Sequence, residues 1–461
     1  MMEKAVGQPK TRPRADDMRK LLFALLILWP FLLAGQDMPF AVKAKTRYSA
    51  SGAVGYEQVD DITYYQLRLI QEFNYKKVFM GIDLDFLFDK KGNLRKSDWD
   101  HLQNAVEKIY FVKYGNKSDP FYVHVGGFPE VNMGNGLIMN RYSNMQLYPE
   151  LRNIGLMIGG NLDIPTHPSF ELFSSNIIRN HILSFSARCK PLPDSTVAVL
   201  DGMILGASVI TDRNQYANVK YVADDAYQPG NVHLKPDPVT VLGAAYTVPL
   251  YQSDTVTLGN YSEFAHILGK GSGAILPGIY ADFDWLKVNL EYRLYGSRFT
   301  PSFFDRDYEE ERAYQVEPGV ADYATKESLL DSLTTAQGFN GSIQGTFKGR
   351  VKASFAWQNL IGRDYKTSKS IWLRLWVDTK YKRLENFSIA YNKVNTNKMG
   401  INHVIEPNAE FKFSVTLKIS RKKWYLVARY AEKYQDKNDS GEINWLKETK
   451  HTATVGLKFV Y

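Results

Sequence analysis

The sequence predicts an all-β chain that crosses a membrane as an antiparallel barrel of about 18 strands, with 16 to 20 accommodated. Three observations carry this. Stretches of roughly ten residues alternate apolar and polar side chains between polar turns, the pattern of strands with lipid on one face and a polar interior on the other. Aromatic residues make up 13% of the 461 while mean hydropathy is only -0.32, and no interior apolar run approaches the roughly 20 residues of a spanning helix. The stretch 451–461 sets Ala453, Val455, Leu457, Phe459 and Tyr461 on one side and Thr452, Thr454, Gly456 and Lys458 on the other.

Residues 1–35 read as an export segment. Lys10, Arg12, Arg14, Arg19 and Lys20 precede an apolar run over 21–34, followed by Gly35, Gln36 and Asp37, the layout of a secretory signal peptide. The run contains Pro30 and is shorter than a spanning helix requires. Residues 36–47 follow as a linker, and 48–461 form the barrel.

Strands are expected at 48–57, 62–73 and 78–86. In the third, Val78, Met80, Ile82, Leu84 and Phe86 alternate with inward positions that include Asp83 and Asp85. Over 97–108 the alternation stops, and Ser97 in front of Trp99, Leu102, Ala105 and Val106 predicts a short capped helix. Strands at 109–114 and 121–127 form a hairpin. The segment 126–150 carries Gly126, Gly127, Gly134 and Gly136, then Arg141, Tyr142 and Asn144. Its glycines predict sharp bends and an inward hairpin, with those last three residues as the candidate constriction or binding element; a purely structural hairpin and a surface recognition loop are the other readings. It is not a phosphate loop, because the spacing and the Lys-Ser/Thr pair are missing.

Further strands are expected at 155–163, 169–173, 180–188, 202–211, 216–223, 241–249, 256–268, 274–283, 285–299, 337–347, 350–360, 370–381, 385–396, 409–419, 423–435 and 451–461. Tight joins near 348–349, 382–384 and 420–422 alternate with long ones at 300–336, 361–369, 397–408 and 436–450. Short and long joins thus fall at opposite ends, as periplasmic turns and external loops do. The loop 301–336 is rich in Asp and Glu and reads as solvated, holding divalent ions near the lipid surface.

The terminal stretch resembles the C-terminal strand of bacterial outer-membrane β-barrels, in which a final aromatic preceded by apolar residues at every second position closes the barrel and is read by the insertion machinery. Val455, Leu457, Phe459 and Tyr461 are the matching insertion-signal positions. With the export segment and the strand series, the chain resembles outer-membrane channels of diderm, Gram-negative bacteria over nearly all of the exported part. The resemblance implies an outer-membrane location. It also implies outer-membrane lipids, lipopolysaccharide, the barrel-assembly machinery and small hydrophilic solutes as partners, and it names no ligand site.

Lumen lining falls by alternation on Asp83, Asp85, Lys287, Glu291, Arg293, Arg374, Asp378, Lys412 and Arg429. Leu286, Val288, Leu290 and Leu294 take the lipid side. Without residues 1–35 the chain holds 51 basic against 46 acidic side chains, a net +5. That balance fits either a slight preference for anions in the lumen or contact with acidic lipopolysaccharide outside, and it does not call for nucleic acid.

No cofactor motif is present, and no two histidines have metal-ligand spacing. The acidic run 436–447 lacks the final acid of a calcium loop, with Lys447 in its place. The single Cys189 excludes an intrachain disulfide. No catalytic residues are assigned. The function read from these features is passive diffusion of small hydrophilic solutes. The alternatives are a non-conducting barrel for structure, adhesion or assembly, and an outer-membrane lipid hydrolase working with a serine and a histidine on the barrel exterior.

Overall fold

The computed structural model describes residues 48–460 apart from 60–61, 97–98, 100–107, 148–150, 180, 194, 220–233, 317–321, 363–368, 397–402, 405–408, 420–423 and 435–448. The export segment, the linker, most of the helix expected at 97–108 and Tyr461 lie outside these residues.

The chain opens with β1 (Tyr48–Val59), β2 (Ile62–Tyr75), β3 (Val78–Phe88), β4 (Ile109–Tyr114) and β5 (Phe121–Gly126). A small separate hairpin follows, β6 (Val131–Met133) and β7 (Met139–Tyr142). The wall resumes with β8 (Gly155–Asn161), β9 (Ser169–Ser174), β10 (Ile182–Cys189), β11 (Ile204–Asp212), β12 (Val239–Gln252), β13 (Val256–Ile267), β14 (Ser272–Phe283) and β15 (Leu286–Tyr295). Inside the next loop, β16 (Ala313–Gln315) pairs only with β17 (Tyr323–Thr325). The wall then runs through β18 (Ala336–Phe347), β19 (Val351–Gly362), β20 (Lys369–Tyr381), β21 (Leu384–Thr396), β22 (Ala409–Lys418), β23 (Trp424–Tyr434) and β24 (Thr449–Val460).

Twenty of these strands form one antiparallel sheet, each pairing with the wall strands before and after it, and β1 pairs with β24 to close the ring. The count lies within the expected range. The excess over 18 arises because all seven N-terminal candidates belong to the wall. Of the strand expected at 216–223, the described part is not strand: Gln215–Asn218 is a 3-10 turn, started by the Asn214 side chain accepting from the Tyr216 N–H, and 220–223 lie outside the described residues.

Alternation sets the two faces. On β15, Glu291, Arg293 and Tyr295 are buried inward, while Leu290 is 46% exposed beside Leu294 on the outer face. On β20, Ile371, Leu373, Leu375 and Val377 alternate with Trp372, Arg374, Trp376 and Asp378. In a closed barrel that exposes an apolar outer face, only the membrane can cover that face. This is an outer-membrane β-barrel. The ends differ in their connections: β2 joins β3, β18 joins β19 and β20 joins β21 through turns of two or three residues. Those turns place Lys76, Lys348 and Lys382 at positive φ, the conformation that matches strand twist in tight hairpins. Each of these lysines lies over the ring just before it, Tyr75, Phe347 and Tyr381.

Twenty strands about 4.8 Å apart and tilted by about 40° give a backbone radius of about 20 Å. Wall side chains alone cannot fill such a lumen. The largest buried apolar cluster instead joins the β6–β7 segment and the start of the loop after β15 to the inner face of β10–β15.

Candidate lumen constriction

The segment 127–154 leaves the wall at Gly126, whose φ of 128° permits the turn and whose missing side chain lets the backbone pass Tyr110. Its apolar face, Met133, Leu137, Ile138 and Met139, is fully buried against inward wall residues such as Val241, Ala265 and Ile275. Each such side chain contributes about 1.5–3 kcal/mol when buried, so the segment is packed in place by several times thermal energy. The wall makes room for it: a Cβ on Gly243 would lie 2.2 Å from Ile138. The tip is latched by Glu263 of β13, which accepts from the N–H groups of Asn135 at 2.9 Å and Leu137 at 3.1 Å.

Of the three candidate constriction residues, Asn144 is buried and braces the base. Its Oδ1 accepts from the Phe128 N–H at 2.7 Å and its amide donates to the Ser175 carbonyl at 2.9 Å. Tyr142, fully buried, donates its hydroxyl to Glu309. Arg141 retains partial solvent access, sits at φ 56°, and pairs with Glu130 at 3.1 Å. Glu130 in turn lies 3.6 Å from Arg374 on β20, a strand across the barrel from β5. Arg141, Glu130 and Arg374 therefore form a row of alternating charge across the lumen, with Arg374 46% and Glu130 39% exposed.

The loop after β15 crosses the upper lumen. Its beginning, Phe299, Phe303 and Phe304, joins the apolar cluster, and the single helical turn Tyr308–Glu311 hangs over the β6–β7 segment. Glu309 is the hub: it accepts from Tyr142, from Asn218 Nδ2 at 2.5 Å and from Arg312 at 3.2 Å. Arg312 also donates to the Gln215 and Asn214 carbonyls at 3.1 and 2.6 Å, while the Tyr308 hydroxyl donates to Asp212 at 2.9 Å. Burial, then the adjacent carboxylates of Glu309 and Asp212, push the Tyr142 and Tyr308 hydroxyls well above their usual range, so both stay protonated donors. From the far side of this loop, Arg306 reaches Glu410 of β22 at 3.0 Å, and Lys433 of β23 meets Glu310 at 3.1 Å. The acidic loop expected to be solvated is thus partly buried, because its acids find cationic partners on other elements.

The remaining candidates are placed as follows. Asp83 is buried between Arg68, at 2.7 Å, and Arg152 of the inward segment, at 2.9 Å. Asp85 accepts from Gln66 at 3.0 Å. Glu291 accepts from Tyr261 at 2.6 Å and Asn340 at 3.1 Å and pairs with Arg293, which also donates to Gln358 at 3.0 Å. Lys287 lies near the β14–β15 turn, 2.5 Å from Asp282. Lys412 pairs with Glu410 at 3.0 Å. Asp378 is buried low on β20, and Arg429 lies on the inner face opposite Ser414 and Thr454. In the closing strand Val455 pairs with Val54 and Ala428, Leu457 is exposed outward, and Phe459 packs on Trp424 with ring centres 5.0 Å apart. On the outer face His266 Nδ1 lies 2.8 Å from Ser272 Oγ, directly across the β13–β14 turn. No carboxylate bond to that histidine is seen among the described residues. Sequence reasoning missed Glu263, Glu309, Arg312 and Asn218, whose partners lie far away in the chain.

No family model matches the chain, and no curated protein does. Among solved structures it is similar to Wzi of Escherichia coli, described as a carbohydrate-binding β-barrel involved in group 1 capsule assembly, at 12% identity over 98% of this chain and 90% of that one, with a TM-score of 0.33. It is also similar to OprD of Pseudomonas aeruginosa (8% identity, 90% of this chain and 95% of that one, TM-score 0.33). A third is the siderophore receptor PirA of Acinetobacter baumannii (9%, 91% and 81%, TM-score 0.37).

Proposed function

We propose that this barrel is a constricted channel through which small hydrophilic solutes diffuse passively, with a slight preference for anions. One observation carries the reading: Arg374 and Glu130 meet inside the barrel and both remain substantially exposed. Charged side chains keep that exposure at membrane depth only where water reaches them. The path runs between the inward segment and the wall β19–β24, past Arg141, Glu130 and Arg374.

The test is planar-bilayer conductance of the purified folded protein, with reversal potentials in a salt gradient. Open-channel steps whose size or ion preference changes in Arg141→Ala support both the channel and its narrow point. Steps unchanged by that substitution keep the channel and remove Arg141 from it. A folded barrel that neither conducts nor admits solutes into liposomes overturns the reading in favour of a structural, adhesion or assembly barrel. The salt links Arg306–Glu410 and Lys433–Glu310 across the mouth favour that second reading.

A further inference from the structure

Two tryptophans face the interior of the barrel. Gln358 points inward, since it accepts from the buried Arg293. Lys352, Ser354 and Ala356 share its face of β19, and register places Trp376, Arg374 and Trp372 opposite them on β20. The contact between Arg374 and Glu130 on the inward segment gives the same direction. An indole set toward water loses the stabilisation that the lipid face would offer, and β20 fills its outer face with aliphatic residues instead. The position therefore calls for another explanation.

The wall beside Trp376 is built of small residues. Following the register sideways, Trp376 lies opposite Ser388, Ser388 opposite Ser414, and Ser414 opposite Arg429. One step higher, Arg374 lies opposite Ala390 and Ala390 opposite Lys412. Between Trp376 and Arg429 the inner surface is thus a trough floored by Ser388, Ala390 and Ser414, spanning about 14 Å at three strand spacings. The two serine hydroxyls lie 2.6 Å apart. Lys352 Nζ lies 5.6 Å from the centre of the Trp376 ring, and a cation over one face of an indole leaves the other face for a ligand. Acids are near but engaged: Glu130 with Arg374, Glu410 with Lys412, Asp378 buried below, and buried Glu72, which accepts from Ser49 at 2.6 Å and lies near both Arg429 and Lys458.

We propose that the trough between Trp376 and Arg429 is a binding site for anionic saccharides. This rests on the channel reading, of which it names the substrate class. A pyranose ring has an apolar C–H face that stacks on an indole, hydroxyls that exchange hydrogen bonds with Ser388 and Ser414, and a carboxylate that pairs with Arg429 or Lys352. The trough lies immediately beyond the Arg141–Glu130–Arg374 row, where a solute clearing the narrow point meets it.

The experiment is calorimetric titration of the folded barrel in detergent with trigalacturonate, neutral maltotriose and benzoate, alongside KCl conductance of the same preparations. Trigalacturonate binds, Trp376→Ala and Arg429→Ala each weaken it about fivefold or more, Trp376→Phe retains most of it, and Trp285→Phe, at an exposed turn, changes nothing. Heat-modifiable gel mobility reports whether each variant is folded. Absence of trigalacturonate binding in protein that conducts KCl overturns the site and leaves the channel. Binding unaffected by both substitutions overturns this placement. Maltotriose binding as tightly overturns the anionic character, and benzoate binding as tightly, with the same dependence on Trp376, overturns the saccharide. Trigalacturonate binding to a barrel that passes no current sinks the channel reading and keeps the site.

Discussion

The Tyr142 hydroxyl of the inward segment donates to the buried Glu309 carboxylate of the loop after β15. Two pieces of chain that leave the wall at different strands are thereby joined into one body. Removing the hydroxyl leaves Glu309 with Asn218 and Arg312 but without one buried donor. Tyr142→Phe should therefore lower barrel stability by about 1–3 kcal/mol, read as a shift in the urea midpoint of the lipid-inserted protein. Its conductance should become noisier, since the two pieces then fluctuate separately.

Gly134 sits at φ 64°, and a Cβ there would lie 2.0 Å from Glu263 Oε1. Gly134→Ala therefore meets both backbone strain of about 1–2 kcal/mol and a clash with the latch. The expected outcome is a loosened tip, seen as larger open-channel steps and as new protease cleavage within 131–142. Glu263→Gln, which keeps an acceptor in place, should change both much less.

Leu290 faces lipid near the middle of β15. Leu290→Arg should destabilise the barrel by about 2–4 kcal/mol, measured by reversible unfolding from phospholipid vesicles. Thiol-reagent access to single cysteines at 290 and 291, in a Cys189→Ser background, should differ sharply between the two positions. Equal access would contradict the assignment of faces.

His181 precedes β10 at the outer end, below the Arg312 network. Burial first, then the charges of Arg312, Arg179 and Arg213, hold its pKa down to about 4 from an ordinary 6.5. The unfolded chain thus binds more protons than the folded one between those values, so stability is lost as pH falls from about 6.5 towards 4. Midpoints measured across that window should decline for the native chain and decline less for His181→Gln.

The wall was legible because alternation is local. Leu286 and Lys287 declare their faces by being neighbours, and one buried face repeats that declaration down the strand. The inward segment was visible through its glycines, since only glycine readily takes the positive φ of Gly134 and Gly136. Its partners were not: Glu263 reads as any inward acid, and nothing next to it in sequence shows that it receives Asn135 and Leu137. The loop after β15 misled for the same reason. Glu309 and Arg312 look like solvated charges until Asp212, Asn214 and Asn218 arrive from elsewhere. The start of the strand expected at 216–223 gives way to a 3-10 turn on a local signal, the capping side chain of Asn214.

Ser49 pairs with Val460 and Tyr56 with Ala453, so the seam of the ring joins the two ends of the described chain. Every other pairing in the wall links strands adjacent in order along the wall and can form as the chain arrives, whereas this one waits for all of them. Until then the sheet is an open ribbon with two unpaired edges, each a template for any stray strand. Closure is also the contact of greatest sequence separation and therefore the slowest to find. Assembly should stall at this seam first, and a proline at Ala53 or Val455 should leave an open, protease-sensitive sheet with its other hairpins intact.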